Sequence, residues 1–424
     1  MSVRRRIAII ALGTRGDVQP YVALGVGLRD AGHAVRLITH ENFAPLAAAH
    51  GLEAHVVRGD VQAVAESDEM RALLAKGNFL AITRRTAQEA KRAIQQWAED
   101  GLAACRGVEL IAAGIGGLFI GLALAEKMAV PFMQAHLVPF TPTGEFPGVL
   151  LPVALPRLGG GFNRLSHRFV RQVMWQGSRG ADNLARRQVL DLPTAPLFGP
   201  FGGERLRRLP ALYGFSPAVV SRPADWDGNT HVTGYWFLDS SADWTPPPAL
   251  AAFLDDGPPP IYVGFGSMAS RQPEETAALV LRALAETRQR AIMLSGWAGL
   301  RADQLPPSVL MVESVPHDWL FPRVSAVVHH GGAGTTAAGL RAGVPSILIP
   351  FFGDQAFWAE RVRALGVGPE PIPRRKLTAE RLAGAIRQAV TDEALRRRAV
   401  ELGATIRAED GVGRAAAIID TLSL

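Results

Sequence analysis

Two short apolar runs with a helix-spaced segment between them restrict this chain more than any other feature. IAIIAL at residues 7–12 and AVRLIT at residues 34–39 are short hydrophobic stretches, and between them the apolar positions of residues 21–30 recur at helical spacing until Gly32 stops them. Strands buried on both faces read as continuous apolar runs, and two such strands joined by a helix lie parallel in one sheet. The unit is βαβ. Sheets built this way carry helices on both faces and take ligands beyond the carboxyl ends of their strands.

The pattern continues. LIAAG near Leu110 and PFMQAHLV from Pro131 read as further strands, and residues 78–104 as a long amphipathic helix. Around Arg222 the texture turns to SRPADWDGNTHVTGYWF and DWTPPPAL, rich in turn residues and proline, which predicts a linker over residues 221–248. Strand and helix patterns then restart: PIYVGFGS, PEETAALVLRALAE, AIMLSG, VLMVES, SAVVHH, a helix from Thr335, SILIP and a helix from Gln355. With 424 residues the chain exceeds one ordinary core. The expected architecture is α/β: two Rossmann-like, doubly wound parallel-sheet domains facing a cleft, at residues 1–220 and 249–401.

Composition removes several classes of function. At 48% hydrophobic and 20% charged residues the chain is neither disordered nor fibrous. A single cysteine, Cys105, excludes an internal disulfide and a cysteine-rich metal site. The excess of six positive charges comes from dispersed arginines, and four tyrosines offer few stacking platforms, so no nucleic-acid partner is expected. No apolar run reaches the roughly 18 residues of a transmembrane span. SVRRR leads directly into IAIIAL without a cleavage site, so a cytoplasmic protein is expected, monomeric or dimeric, with peripheral membrane contact left open.

VVHHGGAGTT, residues 327–336, follows a strand and opens a helix. Glycines allow close approach to bare backbone, and helix-starting N–H groups favour anions, which points to a phosphate-bearing ligand; a tight turn with packed histidines is the structural alternative. His330 is the better placed donor, since His329 has the opposite parity and faces the sheet. Further on, GVPSILIPFFGDQ ends a strand and presents Asp354 and Gln355, which suit the vicinal hydroxyls of a sugar or, alternatively, a helix cap.

With these motifs in place the chain resembles the nucleotide-sugar glycosyltransferases of GT-B fold, family 1, in the sterol-glucosyltransferase-like and bacterial natural-product branch. GTRGDVQPYVALGVGLRDAGHAVRLIT is similar to that branch's amino-terminal loop and first βαβ unit. VPHDWLF, HHGGAGTT and GVPSILIPFFGDQ together resemble its donor region. The resemblance implies that His330, Gly332, Ala333, Gly334 and Thr335 contact the donor's diphosphate, and that Asp354 and Gln355 hold its sugar. It implies that the chain at Val315 borders the base, that Gly16 and Ser267 join the donor set, and that residues 402–424 pack back on the first domain. Asp17 of DVQP stands where the family's HxxP loop carries its base, as an aspartate does in this branch, and a carboxylate can accept a hydroxyl proton there; a helix-cap role is the alternative.

Two departures mark the donor side: Ser314 and Ala338 replace a tryptophan and a ribose-binding glutamate of plant relatives. Trp297 and Trp319 are the candidates for base stacking, with core packing equally open. QAHLVPFTPTGEFPGVLLP, residues 134–152, is apolar and proline-rich, so Met133, His136, Phe140 and Phe146 are candidate acceptor-wall residues, or else core. DWD at residues 225–227 imitates a metal-binding triplet but lies in turn-rich sequence, and no ligand-spaced cluster occurs elsewhere. The expectation is an inverting, metal-independent enzyme without a cofactor, moving a hexose from a nucleoside diphosphate sugar, UDP-glucose favoured, to a lipophilic hydroxyl. A nucleotide-sugar epimerase or hydrolase, a non-catalytic sensor, and an NAD-dependent oxidoreductase using Glu41 are the alternatives; the last lacks GxGxxG.

Overall fold

The computed structural model of the protein describes residues 4–59, 67, 69, 73, 79–151, 158–240, 244–265, 273–294 and 305–423. Twelve strands among these residues form two sheets. The first has the order β3-β2-β1-β4-β5-β6-β7, with β1 Arg6–Ile10, β2 Ala34–Thr39, β3 Glu53–Val56, β4 Leu110–Ala113, β5 Phe132–His136, β6 Ala211–Tyr213 and β7 Thr230–Val232. The second has the order β10-β9-β8-β11-β12, with β8 Ile261–Gly264, β9 Ala291–Leu294, β10 Val309–Val312, β11 Ala326–His329 and β12 Ser346–Leu348. Every pairing is parallel.

The strands that start each half are sealed on both faces. Ile7, Ala8 and Ile9 are fully buried in β1, and β4, β8 and β11 are buried at every position. Each large aliphatic side chain hidden this way contributes about 1.5–3 kcal/mol before the entropy cost of ordering. Strand order reverses between β1 and β4 in one sheet and between β8 and β11 in the other. These reversals open a crevice at the carboxyl end of each sheet, which is where Asp17 and His330 lie.

The longer helices are α1 Arg15–Asp30, α2 Phe79–Ala104, α3 Leu118–Met128, α4 Gly160–Gln188, α5 Pro273–Thr287, α6 Ala333–Ala342, α7 Gln355–Ala364, α8 Ala379–Thr391, α9 Glu393–Arg407 and α10 Gly411–Asp420. The domains meet through an apolar core shared by both, in which Trp358 of α7 is fully buried and Phe215 of the first domain meets it edge-on at 6.2 Å. Phe146 meets Phe357 at 5.3 Å, and the Arg361 guanidinium donates to the Val219 carbonyl at 2.8 Å.

The structure shifts the expected boundaries. Residues 221–232 are not linker: Trp226, only 4% exposed, stacks on Tyr213 at 4.7 Å, Arg222 donates to the Thr230 and Trp226 carbonyls, and β7 closes the first sheet. Turn-rich composition masked a segment anchored by one buried tryptophan. At the other end α9 still belongs to the second domain, packed on α6 with Gly403 against Gly343. Only α10 returns to α1, held by Arg5 on the Ile419 and Leu422 carbonyls and by His33 to Asp420 at 2.9 Å. The chain thus crosses between domains twice, after Leu238, which still packs in the first-domain core, and around residues 408–410. On the first-domain side of these crossings the two segments lie side by side: Gly234, at φ +110°, is so close to Gly411 that a Cβ would stand 3.0 Å from its Cα.

Candidate active site

On the first-domain wall, β1 runs into Gly13, whose φ of +148° lets the chain turn sharply into α1. Thr14 caps that helix, and its backbone N–H and hydroxyl both donate to Asp17 Oδ2, each at 2.9 Å. A Cβ at Gly13 would meet the same oxygen at 2.5 Å. The helix-cap role expected as an alternative is therefore performed by Oδ2, while Oδ1 has no protein hydrogen bond among the described residues. Asp17 is exposed along the cleft, yet protein surrounds it closely enough that desolvation raises its pKa against the lowering pull of Thr14's two donors. It lines a cavity of about 60 Å³ with Leu12, Tyr21, Gly114, Gly116, Leu137 and Val138. Burial, and then Asp17's charge, raise the pKa of the Tyr21 phenol, which donates to the Ala135 carbonyl at 2.6 Å.

On the second-domain wall, β11 ends at His329, which is fully buried and whose Nδ1 accepts the Gly331 N–H at 3.1 Å. That bond and its strongly lowered pKa, caused by burial and then by His330 and His317, leave it neutral. His330 is half-buried with a pKa pushed by desolvation to about 4, and its buried Nδ1 has no partner among the described residues. Gly331 at φ +91° and Gly332, where a Cβ would stand 2.5 Å from His330 Nε2, turn the chain into α6. The first N–H bonded back into the helix is that of Thr336, to the Gly332 carbonyl, so those of Ala333, Gly334 and Thr335 have no intrahelical acceptor. Gly334 is exposed and would accept a Cβ without contact, so an anion can reach these donors. Thr336 is fully buried with its hydroxyl unpartnered, whereas Thr335 is half-exposed.

Asp354 occupies the cap position of α7, but its carboxylate makes no cap bond. Oδ2 accepts the Trp358 indole N–H at 2.7 Å instead. Burial pushes its pKa up to about 6, opposed by the Trp358 bond and reinforced by the charge on Asp17. Gln355 is buried, and its amide oxygen accepts the N–H groups of Phe351 at 2.8 Å and Phe352 at 3.2 Å. It fixes the loop that presents Asp354.

Two groups at this site were not singled out from sequence. His317 has a pKa of about 4, lowered by burial and then by the charge of Arg15 from the opposite domain, with His330 also contributing. Arg15 sits two residues before Asp17 and bonds Gln19 at 3.0 Å. Both lie inside motifs that carry the family resemblance, His317 in VPHDWLF and Arg15 in GTRGD. Other candidates lie elsewhere. Val315 packs in the core beside Tyr262 and Phe321, and the Trp319 ring is already engaged by Trp244 and by the Arg323 guanidinium. Ser267 and Trp297 fall outside the described residues. Met133, His136 and Phe140 are core side chains, 0%, 0% and 2% exposed, so the cavity wall is made by Leu137 and Val138 between them. Phe146 sits at the domain contact. Gly16 is exposed in the first turn of α1.

Asp225 of the DWD triplet is engaged structurally. It accepts from Thr143 at 2.6 Å, the Gly144 N–H at 2.8 Å and Arg164 at 2.8 Å; burial works to raise its pKa, and these donors outweigh it and hold it near 2. Among the described residues no three His, Cys, Asp or Glu side chains are grouped to hold a metal ion, and no helix is long and apolar enough to cross a membrane.

Comparison with known proteins agrees with this fold. The glycosyltransferase family 28 N-terminal domain model matches residues 7–147, and the erythromycin biosynthesis protein CIII-like C-terminal domain model matches residues 279–413. The glycotransferase of kitacinnamycin shares the fold at TM-score 0.70 and 20% identity, covering 99% of both chains, as does the calicheamicin glycosyltransferase CalG4 at 0.65 and 21%, covering 99% of this chain and 98% of its own. Two parallel-sheet domains around a cleft of this kind define the GT-B class. Sterol 3-beta-glucosyltransferase UGT80B1 of Arabidopsis thaliana is 38% identical over 425 residues, covering 97% of this chain and 67% of its own length. A sterol 3-beta-glucosyltransferase of Cryptococcus neoformans is 36% identical over 97% of this chain, which spans only 27% of that relative's length. The chain belongs to the GT-B glycosyltransferases, in the family that includes the sterol 3-beta-glucosyltransferases.

Proposed function

We propose that the protein transfers a hexose, glucose from UDP-glucose being favoured, to the hydroxyl of a lipophilic acceptor with inversion at the anomeric carbon. The observation that carries this reading is the placement of Asp17 beside a small cavity on one wall, opposite an anion-receptive helix end and a second carboxylate on the other. Asp17 Oδ1 takes the acceptor's proton as its oxygen attacks the anomeric carbon, while Thr14 holds the other carboxylate oxygen in place. The departing diphosphate takes N–H groups of Ala333, Gly334 and Thr335 and an N–H of the neutral His330, and Arg15 brings a positive charge from the facing wall. These groups neutralise the leaving group without a metal. Asp354, ionised above pH 6, accepts sugar hydroxyls in a position that Trp358 and Gln355 fix.

A cavity of about 60 Å³ is far below the roughly 300–1,000 Å³ of a site that encloses a whole drug-sized ligand. It receives the reacting end of the acceptor, and the apolar body lies along the cleft. A sterol is the first acceptor to try, because relatives bear that name. The test incubates the protein with UDP-glucose and TDP-glucose against sterol and phenolic alcohols in the presence of EDTA, and assigns the product anomer by NMR. Formation of a β-glucoside supports the reading. Donor hydrolysis or epimerisation with every acceptor unmodified would replace it with the alternative chemistry of the same cleft, and activity restored only by magnesium or manganese would remove its metal independence.

A further inference from the structure

One face of the first domain exposes a group of large apolar side chains beside a helix segment that carries no acidic residue. Of the seven large hydrophobic side chains exposed among the described residues, Leu158, Leu165, Phe169, Leu197 and Phe198 share it. Leu165 (62% exposed) and Phe169 (56%) stand one turn apart on α4, and Leu158 precedes that helix by two residues. Phe198, 73% exposed, is held against the next turn: Gln172 donates to its carbonyl at 2.7 Å, and Trp175 and Gln176 donate to that of Leu197 at 3.0 and 2.7 Å. Packing therefore fixes these side chains outward. From Gly160 to Gly180 the helix contains four arginines and no aspartate or glutamate. Arg168 is exposed between Leu165 and Phe169, and Arg164 is exposed on the same face, sharing its charge with Asp225.

We propose that this face, centred on Leu165, Phe169 and Phe198, docks the protein on a bilayer surface that carries anionic headgroups. An apolar stripe edged by arginine on one helix is the pattern of an element lying in the membrane interface, where the aliphatic and aromatic groups enter the acyl boundary and the cations meet the headgroups. A second copy of the chain is a poorer occupant. Two-fold association sets the same patch against itself and brings the arginines of one copy toward those of the other. The face also adjoins the site: Asn163 donates to the Gly144 carbonyl at 2.8 Å and Ser166 accepts the Gly148 N–H at 2.9 Å, so α4 supports the segment that continues from Leu137 and Val138. Docking does not depend on the proposed function.

The test is co-sedimentation with vesicles of phosphatidylcholine alone and of phosphatidylcholine with about a third phosphatidylglycerol, with no sugar donor present. The wild-type protein should bind the anionic vesicles and be released by salt. Leu165→Ser with Phe169→Ser should lower partitioning at least about tenfold, and Arg168→Glu about fivefold or more on anionic vesicles only, with melting curves unchanged because these positions are exposed. A wild-type protein that stays in the supernatant with both vesicles overturns the proposal, as does binding that survives these substitutions. Concentration-dependent self-association that the double substitution abolishes, without vesicle binding, assigns the face to a second copy instead.

Discussion

Asp17 and Asp354 stand on opposite walls of the cleft within reach of each other's charge: burial first, and Asp17 in addition, push the Asp354 carboxyl up to about 6. One belongs to the first turn of α1 and the other opens α7, so the coupling exists only while the domains are together. Like charges held close disfavour joint ionisation, and a bound sugar whose hydroxyls separate the two carboxylates relieves that repulsion.

Replacing Asp17 by Asn keeps the Thr14 contacts on a near-isosteric side chain and removes the base. Turnover should fall by about two orders of magnitude or more while UDP affinity stays close to wild type. Single-turnover rates paired with calorimetry separate the two effects, and wild-type turnover in the variant would remove Asp17 from the chemistry.

The raised pKa of Asp354 carries a signed consequence for stability. A carboxyl whose folded pKa exceeds its unfolded value of 3.8 destabilises the fold where it is ionised, so the penalty is absent below about pH 4, grows toward pH 6 and is complete above it. Asp354→Asn should therefore raise stability at pH 8 by at most about 3 kcal/mol, with the gain vanishing near pH 4. Sugar transfer should be impaired at every pH. In the wild type the acid limb of activity should lie near 6, and Trp358→Phe, which removes the indole N–H from Asp354, should move that limb upward. Denaturant titrations and rate–pH profiles read these outcomes, and a stability gain independent of pH would contradict the assignment.

Gly13→Ala sets a methyl group 2.5 Å from Asp17 Oδ2 in a backbone conformation that side chains avoid. The carboxylate must move or the turn must open. Turnover should drop by at least about tenfold with donor affinity preserved, since a misplaced base costs rate before binding. Equal loss of donor affinity in calorimetry would mean that the whole wall had shifted.

His330→Ala should weaken UDP binding by about 1.5–3 kcal/mol, the usual loss for a hydrogen bond to a charged group. Because the ring is neutral well above its pKa of about 4, the affinity lost in the alanine variant should be the same at pH 5.5 and at pH 7.5, with the titration of UDP's own terminal phosphate common to both proteins. His330→Gln, which keeps a neutral N–H donor, should recover part of the affinity. Unchanged affinity in the alanine variant would make His330 a structural residue.

The parallel sheets were legible because doubly buried strands leave unbroken apolar runs, and β1, β4, β8 and β11 are such runs. β6 and β7 span three residues each, too few to show any period, which is how β7 passed for linker. The 29-residue α4 begins with glycines and has no capping side chain, so its start carried no signal. At the site, Asp17, His330 and Asp354 could be named from their loops, but each loop reads alone. The pairing of Asp17 with Asp354 and of Arg15 with His317 arises from domain packing, which local sequence does not encode. Met133, His136 and Phe140 were drawn toward the acceptor by the composition of their segment, and β5 with the turn behind it carries them inward instead.

The two crossings are rooted side by side on the first domain, where Gly234 lies against Gly411, and make the connection between domains a double tether. A single cord lets one body swivel freely against the other. Two adjacent cords suppress twist and leave bending about the line that joins them as the softest mode, so any displacement of Asp17 relative to Asp354 and the end of α6 follows one arc. The alignment of the reacting groups is thereby governed at the back of the molecule, where the absence of two side chains keeps the cords together. A bulkier residue at either glycine would splay them and misalign the front of the cleft without touching any group that meets substrate.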